Sequence, residues 1–207
     1  MGQPASGRVQ MEHELPPGQV ARSGWPAQHY GPVPRFRPDS WNLTVLGATE
    51  SGRQHRFDWA GVARLPRCAV TADLHCVTKC TIPRIAWEGI AATEVLSAAP
   101  PAGGVTHVMV WAEYGYSANI GISDFAAGTT LFATAVAGVP LTPEHGYPIR
   151  LVVPHLYGWK SVKWVRAVEY LTENRRGFWE ERGYHNSADP WREQRFSYQE
   201  QQAASER

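Results

Sequence analysis

The sequence has few cysteines, no long apolar run and no targeting pattern, and each absence excludes a class of protein. Its three cysteines, Cys68, Cys76 and Cys80, are odd in number and too few for a disulfide framework. No stretch approaches the ~20 apolar residues of a membrane-spanning helix, and residues 1–20 lack the apolar centre of a secretory signal peptide. We therefore expect a cytoplasmic protein whose thiols stay reduced.

The charge balance excludes another class. The chain carries 20 Lys and Arg against 19 Asp and Glu, a net charge of +1. Proteins that bind nucleic acid normally present a basic stripe, so we expect no nucleic-acid partner. What the sequence does have is 207 residues, 43% of them hydrophobic, which is enough for one substantial core. Nine tryptophans indicate an aromatic-rich core or pocket.

The residue pattern predicts one α+β domain with mixed β-sheets and short helices. Residues 1–25 are rich in Pro and Gly and predict a flexible arm, residues 26–195 the domain, and residues 196–207 a polar tail. Alternating or β-branched runs predict strands at 41–46, 70–76, 105–112, 147–153 and 162–170. Helices are predicted at 91–98 and 124–137, with a turn at 177–182 that ends at Gly183.

The first candidate site is the LHCVTKC segment. Cys76 ends a predicted strand with His75 and Lys79 beside it, and a nearby cation favours the thiolate that metals bind. A soft thiolate suits a transition metal better than Mg²⁺ or Ca²⁺. Zinc fits poorly, because Cys76 and Cys80 have C-x3-C spacing, Cys68 is the only other thiol, and no second ligand pair follows. A cysteine packed in the core is the alternative.

The second candidate site is a concentration of polar and cationic residues in otherwise apolar sequence. Its members are His145, Arg150, Lys160, Ser161 and Lys163. Gly158 allows the backbone to approach a ligand closely, and cations with exposed amides form phosphate sites. Neither a Walker loop nor a G-x-G-x-x-G motif is present. This concentration predicts a bound anion.

Together the motifs resemble the sulfite-oxidase family of molybdopterin-binding domains. HCVTK, EHGYPIRLVVP and YGWKSVKW occur in the family's order, after the entry segment HYGPVP and before GFWEERGYHN. The resemblance covers residues 28–191 and implies a sulfite-oxidase-type fold. It also implies molybdenum with molybdopterin as cofactor and two-electron oxygen-atom transfer on a small substrate as the reaction.

The resemblance assigns roles to individual residues. It implies that Cys76 supplies the thiolate ligand of molybdenum and that Tyr184, beside the metal, donates a hydrogen bond to the substrate. It implies that the pterin and its phosphate are held by His29, Tyr30, His145, Arg150, Lys160, Ser161 and Lys163. One phosphate's worth of cations favours the pterin without an appended nucleotide.

Two departures from the family pattern bear on the substrate. Gln28 stands where sulfite oxidases usually carry an arginine, and Gly183 replaces an acidic residue before Tyr184. Sulfite, a small dianion, needs a desolvated positive pocket, so a sulfoxide or another substrate fits better. Cys80 replaces a common aromatic residue, either as a packing residue or as a redox-sensitive thiol.

Two other functions stay open from the sequence. One is a zinc or thiol enzyme that uses Cys76 with His75 or Cys80, and the other is a molybdopterin-binding module without catalysis. The chain has no H-P-G-G haem-binding segment and no dimerisation module after the segment that contains Lys160 and Lys163. We therefore expect a separate electron-transfer partner, and the sequence does not assign an oligomeric state.

Overall fold

Strands are the main regular elements of the computed structural model, which describes residues 14–200. The strands are β1 Val20–Ala21, β2 Asn42–Gly47, β3 His55–Asp58, β4 Arg67–Cys76, β5 Cys80–Ala91, β6 His107–Ala112, β7 Ser117–Gly121, β8 Leu131–Val136, β9 Val139–Pro140, β10 Arg150–Val152 and β11 Val165–Leu171. The helices are α1 Trp59–Ala63, α2 Ala92–Ala98 and α3 Ile122–Phe125. Single 3-10 turns cover Glu113–Gly115, Pro143–His145, Gly158–Lys160 and Glu180–Arg182.

The strands form two sheets. In the first, the long β5 pairs with β4 over most of its length, with β1 at its first residues and with β8 at its last, and β8 also pairs with β9 and β10. The second sheet has the order β3-β2-β11-β6-β7, in which β11 is parallel to β2 and antiparallel to β6. This mixed architecture is the predicted α+β class.

Alternating apolar residues join the two sheets into one core. Leu43 and Val45 of β2 are buried while their neighbours are partly exposed, as a half-buried strand requires. They belong to a cluster that also contains Phe132 of β8 and Leu151 of β10, from the other sheet. A second cluster contains Ile85 of β5 and Val152 of β10, with Leu74 of β4 packed against it, and these three strands carry the candidate site. Within residues 14–200, none of the helices has the length and apolarity to cross a membrane.

Most local predictions are confirmed, but the helix predicted at 124–137 is wrong. Only Ile122–Phe125 is helical, and Leu131–Val136 is strand β8, hydrogen-bonded between β5 and β10. Ala and Leu favour helix in isolation, whereas pairing on both sides within a buried sheet decides this segment. The turn at Glu180–Arg182 ends, as predicted, at Gly183 in the left-handed region (φ 93°).

The end of the predicted flexible arm is ordered and packed. Gln19 is buried, its amide donates to the backbone oxygen of Cys76 at 3.1 Å, and Val20 pairs with Cys80. At the other end, the side-chain oxygen of Gln199 accepts from the backbone N–H of Phe196 at 2.8 Å. The boundaries predicted at 25/26 and 195/196 therefore lie inside packed structure, and residues 1–13 and 201–207 lie outside the described part.

Candidate functional site

A cavity of about 470 Å³ lies where the tip of the β4–β5 hairpin meets the start of β10 and the turn Gly158–Lys160. Seven of the nine predicted site residues are on its wall: His29, Tyr30, Cys76, Arg150, Ser161, Lys163 and Tyr184. The fold therefore brings together residues that are more than 150 positions apart in the chain, and the cavity is the candidate site.

Cys76 provides one of the two thiols that line this cavity, and Cys80 provides the other. Cys76 is the last residue of β4 and pairs with Cys80, the first residue of β5, across a turn closed by a hydrogen bond from Lys79 N–H to Cys76 O (3.1 Å). The Cys76 sulfur lies 3.0 Å from the hydroxyl of Thr78 and 3.6 Å from the side-chain oxygen of Gln28. A thiol at a rigid strand end, open to a cavity, suits metal ligation.

The predicted cationic neighbours of the thiol are not its hydrogen-bond partners. The ring of His75 is buried and its Nδ1 lies 2.9 Å from the hydroxyl of Thr81. In the described part of the chain the sulfur's hydrogen-bond partners are both neutral, Thr78 and Gln28. Strand alternation explains the difference, because His75 and Cys76 point to opposite faces of β4.

Arg150 forms the cationic end of the cavity. It is buried, donating from Nη1 to His145 O and from Nη2 to Ser161 O, both at 3.2 Å. The guanidinium carbon lies 5.4 Å from the ring centres of both Trp25 and Trp87. Burial lowers the pKa of Arg150 to about 10, so it stays cationic at neutral pH. Its Nε is buried and has no hydrogen-bond partner among the described residues.

Lys163 is the second cation on the wall. Its ammonium group donates to the backbone oxygens of Gln28 and Glu144, each at 2.7 Å. Burial, and then the charge of Arg150, lower the pKa of Lys163 to about 7. Ser161 lies between the two cations, and its hydroxyl accepts from the N–H of Val153 at 3.0 Å. Two cations with neutral oxygens as partners form a site that an anion would stabilise.

His145 stands behind the wall and orients part of it. Its Nε2 lies 2.9 Å from the backbone oxygen of Trp25, so Nε2 carries the proton, and its Nδ1 accepts from the hydroxyl of Thr142 at 2.8 Å. Burial lowers the pKa of His145, which favours this neutral form. The ring packs on Trp25 with centroids 4.1 Å apart. His145 thereby fixes an indole that lines the cavity.

Lys160 corrects the sequence prediction, because its ammonium group does not line the cavity. The side chains of Lys160 and Glu180 are both 0% exposed and form an ion pair at 2.6 Å. Lys160 also donates to the backbone oxygens of Asn119 and Asn186, each at 2.7 Å. Burial lowers the pKa of Lys160 while Glu180 acts to raise it. These contacts use the ammonium group fully and leave no donor for a phosphate.

An aromatic wall faces the thiol side. The ring of Tyr184 lies 5.0 Å from that of Trp159 and 5.1 Å from that of Trp179. The hydroxyl of Tyr116 donates to the backbone oxygen of Trp159 at 2.6 Å, and burial raises the pKa of Tyr116 well above its ordinary value. The sequence had indicated only Tyr184 here. The high tryptophan count was the one available signal for the rest.

His29 and Tyr30 lie at the rim. The His29 ring is 5.4 Å from the ring of Trp164, and its Nδ1 lies 3.0 Å from the backbone oxygen of Gly31. Tyr30 is 60% exposed and packs against Phe178 with ring centres 4.7 Å apart. The predicted entry segment therefore reaches the cavity at its opening.

The side chains at this site fit a metal ion that is already coordinated by a cofactor. Residues 14–200 contain no group of three or more His, Cys, Asp or Glu side chains that could hold a metal ion. A zinc ion would find too few protein ligands at Cys76. A metal bound to an anionic cofactor would find on one cavity wall the Cys76 thiol, the cations Arg150 and Lys163, and the unpartnered Nε of Arg150. The residues present therefore fit molybdenum held by a phosphorylated pterin.

Family comparison agrees with this chemistry. Residues 30–179 match the model of the oxidoreductase molybdopterin-binding domain, and the chain belongs to this family. The protein is thus an oxidoreductase whose cofactor is molybdenum with molybdopterin.

Individual relatives cover different parts of the chain. The uncharacterized oxidoreductase YuiH of Bacillus subtilis is 40% identical over 194 residues, 93% of this chain and 94% of that protein. Human mitochondrial sulfite oxidase is 27% identical over 181 residues, 74% of this chain but only 33% of the longer enzyme. The sulfane dehydrogenase SoxCD of Paracoccus pantotrophus superposes with a TM-score of 0.64 at 20% identity, over 71% of this chain and 42% of that one. This structural likeness confirms the sulfite-oxidase-type fold.

Proposed function

We propose that this protein transfers an oxygen atom to or from a small neutral substrate, with the Cys76 thiolate as the protein ligand of molybdenum. The observation that carries the proposal is the shared cavity, which has the Cys76 thiol at the hairpin tip and the cations Arg150 and Lys163 on the same wall. When bound, the molybdenum cofactor supplies two-electron oxygen-atom transfer. The chain supplies the binding, orientation and electrostatics.

The cationic end would bind the phosphate of the pterin. Arg150 stays charged, and Lys163 gains a full charge once an anion offsets its burial. The neighbouring Ser161 holds the loop to the end of β10 through its contact with Val153, the residue after that strand. Since Lys160 is committed to Glu180, the Lys and Arg residues that line this cavity are Arg22, Arg150 and Lys163. So small a set of cations favours the pterin without an appended nucleotide.

The thiol end favours a neutral substrate. The hydrogen-bond partners of Cys76 are neutral, and the rings that contact Tyr184 are apolar. Among the described residues the Cys76 sulfur has no cationic hydrogen-bond partner that would favour a dianion such as sulfite, whereas a sulfoxide can pack its substituents on indole rings. The catalytic subunit MsrP of Campylobacter jejuni, a protein-methionine-sulfoxide reductase, is 32% identical over 83 residues, 38% of this chain. This supports a sulfoxide as the substrate class.

The reaction on a sulfoxide takes up two electrons and two protons and releases a sulfide and water. Tyr184 lies on the wall of the cavity, where its hydroxyl would donate a hydrogen bond to the substrate oxygen. A separate electron-transfer partner would supply the electrons. Aromatic rings around the reacting centre would exclude water and orient the substrate.

The first test compares Cys76→Ser with Cys68→Ser. Cys68 lies on the same strand but outside the cavity wall, where it pairs with Gly89. With protein from a molybdate-supplied host, we expect Cys76→Ser to lose reduction of methyl sulfoxides by a dye donor and most of its molybdenum. Cys68→Ser should retain both. Elemental analysis, pterin release and dye oxidation measure the outcome.

Contrary results separate the alternatives. Wild-type molybdenum content and turnover in Cys76→Ser would remove the ligand assignment. One zinc per chain without pterin would favour the zinc or thiol enzyme. Bound pterin with no turnover of any oxygen donor or acceptor would favour a binding module without catalysis.

A further inference from the structure

We infer that Cys76 and Cys80 form a reversible disulfide when the cofactor is absent, and that this disulfide blocks metal binding. The block on metal binding rests on the proposed role of Cys76 as a ligand of molybdenum, whereas formation of the disulfide does not rest on it. This is a modification site within the cavity, and it uses a second thiol that the proposed reaction does not need.

The hairpin geometry brings the two thiols together. Cys76 and Cys80 are direct partners across the antiparallel pair β4–β5. Directly opposite residues have Cα atoms about 4.5–5.5 Å apart and side chains on one face, which falls within the ~4.4–6.8 Å range of disulfides. The hydroxyl of Thr78 lies 3.0 Å from the Cys76 sulfur and 3.7 Å from the Cys80 sulfur. Side-chain rotation is therefore enough to join them.

The base of the hairpin is fixed, so the two cysteines stay opposite each other. The Gln19 amide donates to Cys76 O at 3.1 Å, and its side-chain oxygen accepts from the hydroxyl of Thr81 at 3.2 Å. On the next residue, the N–H of Val20 donates to Lys79 O at 3.0 Å. Gln19 and Val20 thus hold both sides of the turn in place, so the Cys76–Cys80 disulfide can form without unfolding.

Both sulfurs are open to a small oxidant. Cys76 and Cys80 are reduced and half-buried, and both line the 470 Å³ cavity. Cys68 is also reduced and half-buried, but it lies at the far end of β4 opposite Gly89, off the cavity wall, and burial raises its pKa. The molecule therefore contains one thiol that can act as an internal control.

The chemistry balances with a peroxide as oxidant. One thiolate attacks the peroxide, an S–O bond forms, the O–O bond breaks, and hydroxide leaves and takes a proton to form water. The second thiol then attacks the sulfenic sulfur, an S–S bond forms, and a second water leaves. Two thiols and one hydrogen peroxide thus give one disulfide and two waters. A dithiol reductant reverses the change by exchange.

The two states of Cys76 are mutually exclusive. A sulfur in a disulfide has no thiolate to give to a metal, and a metal-bound thiolate is not available for pairing. Pairing with Cys80 also stops oxidation at a reversible step, before Cys76 reaches the irreversible sulfinic acid. The second thiol thereby preserves the metal-binding capacity of protein that has not received its cofactor.

The test exposes the full-length protein to equimolar hydrogen peroxide, in cofactor-free and molybdenum-loaded forms. Alkylation and peptide mass mapping should find the Cys76–Cys80 disulfide in the cofactor-free form and not in the loaded form. Cys80→Ser should abolish the disulfide and, once the peroxide is raised above two equivalents, accumulate sulfinic acid at Cys76. Cys68→Ser should behave as the wild type.

A second measurement addresses loading. Oxidised cofactor-free protein should take up no molybdenum cofactor, and a dithiol reductant should restore uptake. Equal rates of Cys76 over-oxidation in the wild type and Cys80→Ser would overturn the inference. A disulfide that forms but leaves molybdenum uptake unchanged would overturn the block on loading and the ligand assignment of Cys76 together. Sulfoxide turnover is not a readout of either measurement.

Discussion

Lys160 and Lys163 stand three residues apart in one loop, yet their surroundings are opposite. Lys160 is enclosed in a network with a carboxylate, Glu180, and backbone oxygens. Lys163 faces the cavity, with Arg150 nearby and only backbone oxygens as hydrogen-bond acceptors. The charge of Lys160 is neutralised by Glu180 inside the protein, whereas the charge of Lys163 is available to a ligand in the cavity. This contrast distinguishes a lysine paired inside the protein from a lysine that lines the cavity.

The largest effect should come from breaking the enclosed pair. In Glu180→Gln the buried Lys160 loses its counterion, and removing one partner of a buried ion pair costs about 3–5 kcal/mol of unfolding free energy. The side-chain amide can still accept from the indole N–H of Trp159, a contact now 3.0 Å long. Denaturant unfolding of cofactor-free protein measures the loss.

The control is an exposed ion pair. Arg192 and Asp189 lie 3.6 Å apart with side chains 74% and 32% exposed, and Arg192→Ala should cost less than about 1 kcal/mol. The double variant Lys160→Met/Glu180→Gln should recover part of the loss. If Glu180→Gln were as stable as Arg192→Ala, Lys160 would not depend on its counterion.

The open cation should affect binding more than stability. Lys163→Met removes a charged donor from the cavity wall, and hydrogen bonds to charged groups contribute about 1.5–3 kcal/mol, so sulfate should bind the cofactor-free protein ~10-fold more weakly or worse. Calorimetric titration with sulfate measures this, with Arg192→Ala as the control. Unaltered sulfate affinity in Lys163→Met would show that Lys163 does not bind the anion.

The smallest effect should be a pH dependence of sulfate binding to the cofactor-free protein. In the cofactor-free protein the pKa of Lys163 is about 7, lowered by burial and by Arg150. Its charged form binds the anion, so sulfate affinity should fall several-fold as pH rises from about 6.5 to 8.5. Sulfate does not titrate in this range.

Lys163→Arg provides the matched control for the pH series, because a guanidinium stays charged throughout. Its sulfate affinity should change less with pH than that of the wild type. The same decline in both proteins would assign the titration to another group.

The sequence predicted much of the site because its motifs lie at strand ends. Arg150, Ser161 and Lys163 line one cavity with Cys76, which ends β4, and His145 contacts Trp25 of the same wall. Lys160 was misassigned because its direction depends on a carboxylate 20 residues further along, at Glu180. A local pattern indicates which residues carry charge, but long-range packing decides which charges face the cavity.

Other wall residues had no local signal at all. Tyr116 is placed on the wall by the pairing of β6 with β7. Trp25 is placed there by the packing of a segment that the sequence predicted to be flexible. Helix propensity likewise failed at β8, where neighbours on both sides impose the strand. These features depend on tertiary contacts, which cannot be predicted from the hydrophobic periodicity of one segment.

The tryptophans on the cavity wall have an optical consequence. Trp25, Trp159 and Trp179 line the cavity, so any chromophore bound there would lie within energy-transfer distance of several indoles. Intrinsic fluorescence would then report the filling of the cavity in the unlabelled protein. The same rings that shape the site make its occupancy visible in solution.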